Sequence, residues 1–189
     1  MPPKPQFTRQ QIIDAAFDIA RIDGLQGLSA RELADRLGCS TSPIYTYFQN
    51  MQELDDIICE LSTKLMLEYQ TRKWTDSPLL DMCVGYVMFA KQEGRAFRDM
   101  FMEKQRLSSH SQEMIKFAYN QLMVKVLSRE PLLSDIDRRK KRKLLEILWT
   151  YTHGLATQIN IGAIDLPNER AVVTHLKQVL PPIVSSFKP

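Results

Sequence analysis

Apolar residues along this chain recur every three to four positions, and no stretch shows a sustained alternation of apolar and polar residues. A spacing of three to four places apolar side chains on one face of an α-helix, whereas strict alternation would indicate β-strands. Prolines separate the periodic runs, and only seven glycines occur among the 189 residues. The pattern therefore predicts an all-α fold.

The first predicted helices have clear start signals. Thr8 and Gln11 form a capping box, in which the threonine hydroxyl accepts from the glutamine amide and the glutamine side chain bonds back. Ser29 and Glu32 repeat the same pair one helix later, and Gly38 is suited to end that second helix. A very short third helix capped by Ser40 and a fourth starting at Asn50 follow. Further helices are predicted at residues 78–93, 95–106, 111–129, 134–162 and 167–185.

The second and third helices have the composition of a helix-turn-helix. Such a unit needs a small residue where the helices cross, here Ala34, and a turn residue that tolerates positive φ, here Gly38. Apolar residues such as Leu33 and Ile44 would hold the crossing. The geometry projects the second helix of the unit into the DNA major groove. A generic helix hairpin has similar spacing, so the spacing alone leaves that alternative open.

The third helix favours the DNA-binding alternative because hydroxyl groups dominate it. Thr41, Ser42, Tyr45, Thr46 and Tyr47 lie within seven positions, on an element too short to contribute much to a core. Hydroxyl groups and tyrosine rings are suited to contacts with phosphates and base edges.

The segment 29–50 reads SARELADRLGCSTSPIYTYFQN and is followed by Glu53 and Leu54. It closely resembles the DNA-binding region of TetR-type transcriptional repressors, and the resemblance extends over about residues 8–60. It implies a three-helix DNA-binding domain over residues 1–52 and a larger helical domain for ligand binding and dimerisation over residues 53–189. The last two helices would pair with those of a second copy to form a homodimer.

The resemblance also implies which residues contact double-stranded DNA. Arg31 corresponds to the residue of the second helix that reaches DNA, and the remaining contacts come from the recognition helix and the turn before it. The complete predicted set is Arg31, Ser40, Thr41, Ser42, Pro43, Tyr45, Thr46 and Tyr47. One position departs from the family, because Met51 stands where a phosphate-binding lysine is common.

Methionines and aromatic residues are abundant between residues 51 and 123. Flexible thioether side chains can line a cavity that adapts to apolar ligands, although they also fill ordinary helical cores. The sequence Trp149-x-x-x-His153-Gly154 is similar to a signature of one branch of the family. The expected pocket residues are Met82, Tyr86, Phe89, Met100, Phe101, Met114, Phe117, Trp149 and His153.

The formal net charge of +3 is unevenly distributed. Residues 138–143 are six consecutive cations, without which the net charge would be −3, and residues 1–50 are neutral. We expect the cationic run to be a solvated helix end, with accessory phosphate contact or attraction of an effector as the alternatives. The neutral N-terminal segment predicts a weak dependence of DNA affinity on salt.

Other classes of function find little support in the sequence. The three cysteines have no metal-like spacing, and no catalytic motif or phosphate-binding loop is present, so we expect no metal, no cofactor and no enzyme. The lack of an apolar leader or a membrane span predicts a cytoplasmic protein. The sequence thus indicates a dimeric repressor that leaves a palindromic operator when a small, largely apolar ligand binds. The alternative is an effector-independent DNA-binding or partner-recruiting dimer.

Overall fold

The computed structural model describes residues 7–103 and 107–188, and all regular structure within these ranges is helical. This confirms the predicted all-α fold class. The helices are α1 (Arg9–Asp23), α2 (Ala30–Leu37), α3 (Ser42–Tyr47), α4 (Met51–Thr71), α5 (Pro78–Gln92), α6 (Gly94–Phe101), α7 (Ser109–Arg129), α8 (Arg138–Asn160) and α9 (Glu169–Ser185).

The predicted starts of α1 and α2 are confirmed, whereas the predicted cap of α3 is wrong: Thr41 rather than Ser40 precedes this helix, and its side chain makes no capping bond. The Gln11 amide donates to the Thr8 hydroxyl at 3.2 Å, and the Thr8 amide donates to the Gln11 side chain at 2.8 Å. The Ser29 hydroxyl accepts from the Glu32 amide at 3.1 Å and caps α2. Each cap satisfies amide groups that lack a partner inside the helix.

Later helix starts differ from the expectation by a few residues. Helix α8 begins at Arg138 rather than near residue 134, because a short 3-10 helix (Pro131–Leu133) precedes it and Asp137 caps it. The Asp137 carboxylate accepts from the Lys140 and Arg139 amides at 3.0 and 2.9 Å, and these bonds lower its pKa. The predicted helix 95–106 ends at Phe101, and its expected final residues 104–106 lie outside the described residues.

The chain forms two compact units that do not follow the chain order. The first unit comprises Met1–Lys64 and Arg95–Phe117, and the second comprises Leu65–Gly94 and Ala118–Pro189. Helix α6 and the first part of α7 therefore belong with the N-terminal helices. The boundary between residues 52 and 53, expected from the family resemblance, stays a prediction.

The first unit has its own apolar core, to which each of the four N-terminal helices contributes. Ile12, Leu33, Ile44 and Leu54 represent α1 to α4 there, and none of them is exposed. From α6, the Asp99 carboxylate accepts the Leu25 amide at 2.9 Å and so holds the turn between α1 and α2.

In the second unit, α5 packs against α8 and α9. Residues 79–90 of α5 are all buried except Asp81, so this helix is apolar on every side. Gly85 allows a close crossing with the end of α4, since a Cβ atom at this position would overlap the Tyr69 carbonyl oxygen and lie 2.6 Å from the Gln70 Cα. Only glycine fits this crossing.

The turn after α2 generates a test of backbone strain. Gly38 has φ of 67° and open space around it. An added Cβ would therefore meet no other atom, but it would strain the backbone in this left-handed conformation. We expect Gly38→Ala to lower the free energy of unfolding by about 1 kcal/mol. Gly154→Ala is the matched control, because Gly154 lies inside α8 with equally open space around it. This substitution should raise the free energy of unfolding by about 0.5–1 kcal/mol, since alanine favours a helix interior over glycine. Urea unfolding followed by circular dichroism measures both changes, and equal effects of the two substitutions would contradict the strain argument.

Candidate nucleic-acid interface

Helix α3 is held in place by two apolar side chains. Ile44 in the helix and Phe48 immediately after it are buried in the core of the first unit, and Leu33 and Ala34 of α2 are buried in the same core. Pro43 lies in the first turn of α3, where its missing amide hydrogen has no intrahelical partner to lose. Ser42, Tyr45 and Thr46 of this short helix face outward.

The turn between α2 and α3 has the predicted geometry. Gly38 is in the left-handed region with φ 67° and ψ 38°, and its amide donates to the Asp35 carbonyl at 3.2 Å. The next amide, of Cys39, donates to the Ala34 carbonyl at 3.0 Å. These bonds complete the end of α2 and reverse the chain into α3.

Several polar residues of α2, the turn and α3 are exposed, and we call this set the recognition surface. Tyr45 is its most prominent member, with 52% of its surface exposed although it is a large aromatic residue. Pro43, which was also predicted to contact DNA, is partly buried at its edge. The recognition surface consists of Arg31, Ser40, Thr41, Ser42, Tyr45 and Thr46.

Two of the predicted DNA-contacting hydroxyls also bond within the chain. The Tyr47 hydroxyl donates to the Phe7 carbonyl at 2.8 Å, and the Tyr47 side chain is only partly exposed. The Thr46 hydroxyl donates to the Ser42 carbonyl at 3.1 Å but stays exposed and able to accept. Tyr47 therefore ties the segment before α1 to α3, a role that sequence reasoning did not foresee.

A cation from α1 lies beside the end of α3. The Arg9 guanidinium is 5.0 Å from the centre of the Phe48 ring and 3.8 Å from a Glu53 carboxylate oxygen. Glu53 also accepts the Gln49 amide at 2.9 Å. The sequence pattern gave no signal for Arg9, because it comes from a different helix. Met51, which replaces the family's usual lysine, is partly buried against the core of the first unit.

Three of the expected pocket residues line a small cavity in the second unit. Met82 and Tyr86 of α5 and Trp149 of α8 surround a volume of about 10 Å³. The Tyr86 hydroxyl and the Nδ1 atom of His153 are 2.9 Å apart, and the rings of Trp149 and His153 stack with centres 5.3 Å apart. Phe89 is buried on the same helix as Tyr86.

The other four expected pocket residues lie in the first unit. Met100 lines a separate cavity of similar volume there, and the Phe101 ring packs 5.2 Å from that of Phe97. Met114 packs partly buried against the core of the first unit, whereas Phe117 is 64% exposed. The structure thus divides the expected set between two units.

Across residues 7–103 and 107–188, no three histidine, cysteine, aspartate or glutamate side chains are arranged to hold a metal ion. None of the helices in these ranges combines the length and apolar character that a membrane crossing requires.

Comparison with known proteins agrees with the geometry of the first unit. Residues 12–55 match the family described as bacterial regulatory proteins, tetR family. The HTH-type transcriptional repressor DrrR1 of Streptomyces coeruleorubidus is 40% identical over 58 residues, which are 31% of this chain and 22% of that protein. The chain thus matches about a fifth of the length of this relative, and both names describe regulators of transcription rather than enzymes.

Solved structures share the fold along nearly the whole chain. A protein of unknown function from Rhodococcus sp. RHA1 superimposes with a TM-score of 0.73, 22% identity and coverage of 99% of this chain and 98% of that one. The transcriptional regulator FadR of Bacillus subtilis, in complex with stearoyl-CoA, superimposes with a TM-score of 0.67 and 15% identity. The match covers 94% of this chain and 98% of that one. Together with the match over residues 12–55, these findings show that the chain contains a helix-turn-helix segment similar to that of the tetR family and shares the fold of these proteins along most of its length.

Proposed function

We propose that this protein is a transcriptional regulator that binds double-stranded DNA through the recognition surface. One observation carries the proposal: α3 buries Ile44 completely and exposes hydroxyl-bearing side chains on its other side. A side chain pattern of this kind suits the major groove, where hydroxyl and guanidinium groups can reach base edges and phosphates. Arg31 supplies an exposed cation at the start of α2.

We propose further that the chain acts as a homodimer through α8 and α9. Much of the apolar stripe of α9 is used inside the second unit, since Val172, Leu176 and Leu180 are buried there. Support for a partner comes from the connection between the two helices, where Ile161 is 55% and Ile164 is 38% exposed. Two copies would read a palindrome whose half-sites lie one helical turn, or a multiple of it, apart.

The family resemblance supports repression relieved by a small, largely apolar effector that binds in the second unit. The names of DrrR1, a repressor, and of the FadR complex with stearoyl-CoA agree with this proposal. One observation favours the effector-independent alternative: the cavity around Tyr86 and Trp149 has a volume of only about 10 Å³, enough for one water molecule. A cytoplasmic location remains a prediction.

Two tyrosines of α3 provide a test of DNA binding. The operator is first obtained by selecting bound sequences from a random DNA pool. Tyr45→Phe should then weaken binding to that site about three- to tenfold and leave the free energy of unfolding unchanged, because its exposed hydroxyl is free to bond to DNA. Tyr47→Phe should instead lower the free energy of unfolding by about 1 kcal/mol, since it loses the bond to the Phe7 carbonyl.

Fluorescence anisotropy with labelled operator and urea unfolding measure the two effects separately. Arg31→Ala should also weaken binding without destabilising the protein. Full affinity in both the Tyr45 and Arg31 variants would refute the recognition surface.

The salt dependence of binding tests how many cations contact DNA. Arg31 and Arg36 are exposed on α2, whereas Arg9 lies against Glu53 and Met51 carries no charge. If each of two copies makes two phosphate contacts, the logarithm of the DNA association constant should fall with the logarithm of the salt concentration, with a slope of about −4. Titrations at several potassium chloride concentrations give the slope. A value near −10 would show that other cations, such as the run 138–143, contact DNA.

The dimer is tested at the connection between α8 and α9. Ile161→Asp should shift sedimentation from dimer toward monomer, because a charge at a buried interface is costly without a partner. Ile22→Asp is a matched control, since Ile22 is similarly exposed at 62% but lies on α1. Dissociation by the control alone, or by neither variant, would contradict an interface at this connection.

A further inference from the structure

Gln70 has a buried acceptor in the second unit, the Oε1 atom, that lacks a hydrogen-bond partner among the described residues. Gln70 is 4% exposed, and the Thr152 hydroxyl, on a residue that is 3% exposed, interacts with the Cys83 side chain. Both residues line the cavity already described around Tyr86 and Trp149. A buried polar group without a partner is destabilising, so its position inside a cavity points to a ligand that bonds to it.

The rest of the lining is aromatic and apolar. The Tyr119 and Trp149 rings have centres 4.5 Å apart, and the Tyr86 and Trp149 rings 5.1 Å apart. Met82 and Met123 complete the apolar surface, and no charged residue lines the cavity. Ring faces and edges at these spacings suit another flat ring, and the absence of a counter-charge in the lining disfavours a charged ligand.

The titratable groups of this cavity are held in their neutral forms. Burial raises the pKa of the Cys83 thiol to about 11, and the neighbouring Thr152 hydroxyl opposes that shift. Burial also raises the pKa of the Tyr86 and Tyr119 hydroxyls. The Tyr86 hydroxyl already bonds to His153. The acceptor that remains for a donor group of a ligand is therefore Gln70 Oε1.

Gln70 also borders a second space. Besides the inner cavity, it lines an open groove of about 200 Å³ between the end of α4 and α7, which includes Leu122 and Val126. The Gln70 side chain thus lies between the inner cavity and a groove that is open to solvent. The inner volume of about 10 Å³ must grow to admit a ring, and the unbranched Met82 and Met123 side chains can change rotamer to allow it.

We infer that this cavity takes an uncharged aromatic molecule carrying an N–H or O–H donor, which bonds to Gln70 Oε1 while its ring packs among Tyr86, Tyr119 and Trp149. The inference rests on the proposed effector-binding role of the second unit and specifies the class of effector. Gln70 is then the residue that distinguishes donors from molecules of the same shape that lack one.

Indole and 1-methylindole test the inference, because they differ in the ring N–H group. Isothermal titration of the full chain should show indole binding at least tenfold more tightly than 1-methylindole. Gln70→Met, which keeps the chain length but removes the acceptor, should abolish this preference. Gln121→Met is the matched control, since Gln121 is exposed on α7, and it should retain the preference.

Gln70→Leu provides a second variant if Gln70→Met does not fold, and it should also abolish the preference because it removes the same acceptor. Equal affinity for the two probes, a preference that survives Gln70→Met in a folded protein, or no binding of either probe would overturn the inference. The last result would mean that the cavity holds water alone.

Binding to the selected operator, measured with and without indole, separates this inference from the proposed function. Loss of the donor preference with intact operator binding overturns the inference and leaves the DNA-binding regulator standing. A donor preference in a protein that binds no operator would support the cavity inference while refuting the regulator.

Discussion

Helix α3 has only six residues, and an isolated helix of that length has no stability in water because nucleation costs more than so few bonds return. Its position depends on the burial of Ile44 and Phe48 in the core of the first unit. The αL turn at Gly38 fixes the direction in which α3 leaves α2. The recognition surface is therefore a product of packing, and its polar residues contribute little to holding it.

The second unit depends on a different constraint, the close crossing of α4 and α5. Gly85 has no side chain to separate the helices, so the Gln70 backbone lies directly against α5. This approach brings Gln70 to the cavity that Tyr86 and Trp149 also line. A cavity with an unpartnered acceptor, Gln70 Oε1, is thereby built into the most apolar part of the unit, where hydrogen bonds are strongest once they form.

The local signals of the first unit allowed accurate prediction. Capping residues such as Thr8 and Ser29 and the glycine at position 38 act through bonds to neighbours within four positions, so their effects follow from the sequence. The expected pocket shows the opposite case. Its members were chosen by residue type, and the structure places Met100 and Phe117 in a different unit from Tyr86, because α6 and the first part of α7 belong with the N-terminal helices.

The sequence by itself determined the helical class and the helix-turn-helix, because helical periodicity and capping are short-range effects. Only the tertiary structure decided that Arg9 lies beside Phe48, that Tyr47 is tied to Phe7 and that Gln70 and Thr152 share a cavity. Each of these relations joins residues that are distant along the chain. Chain folding brings such residues together through shape and burial, which no local pattern of residue types encodes.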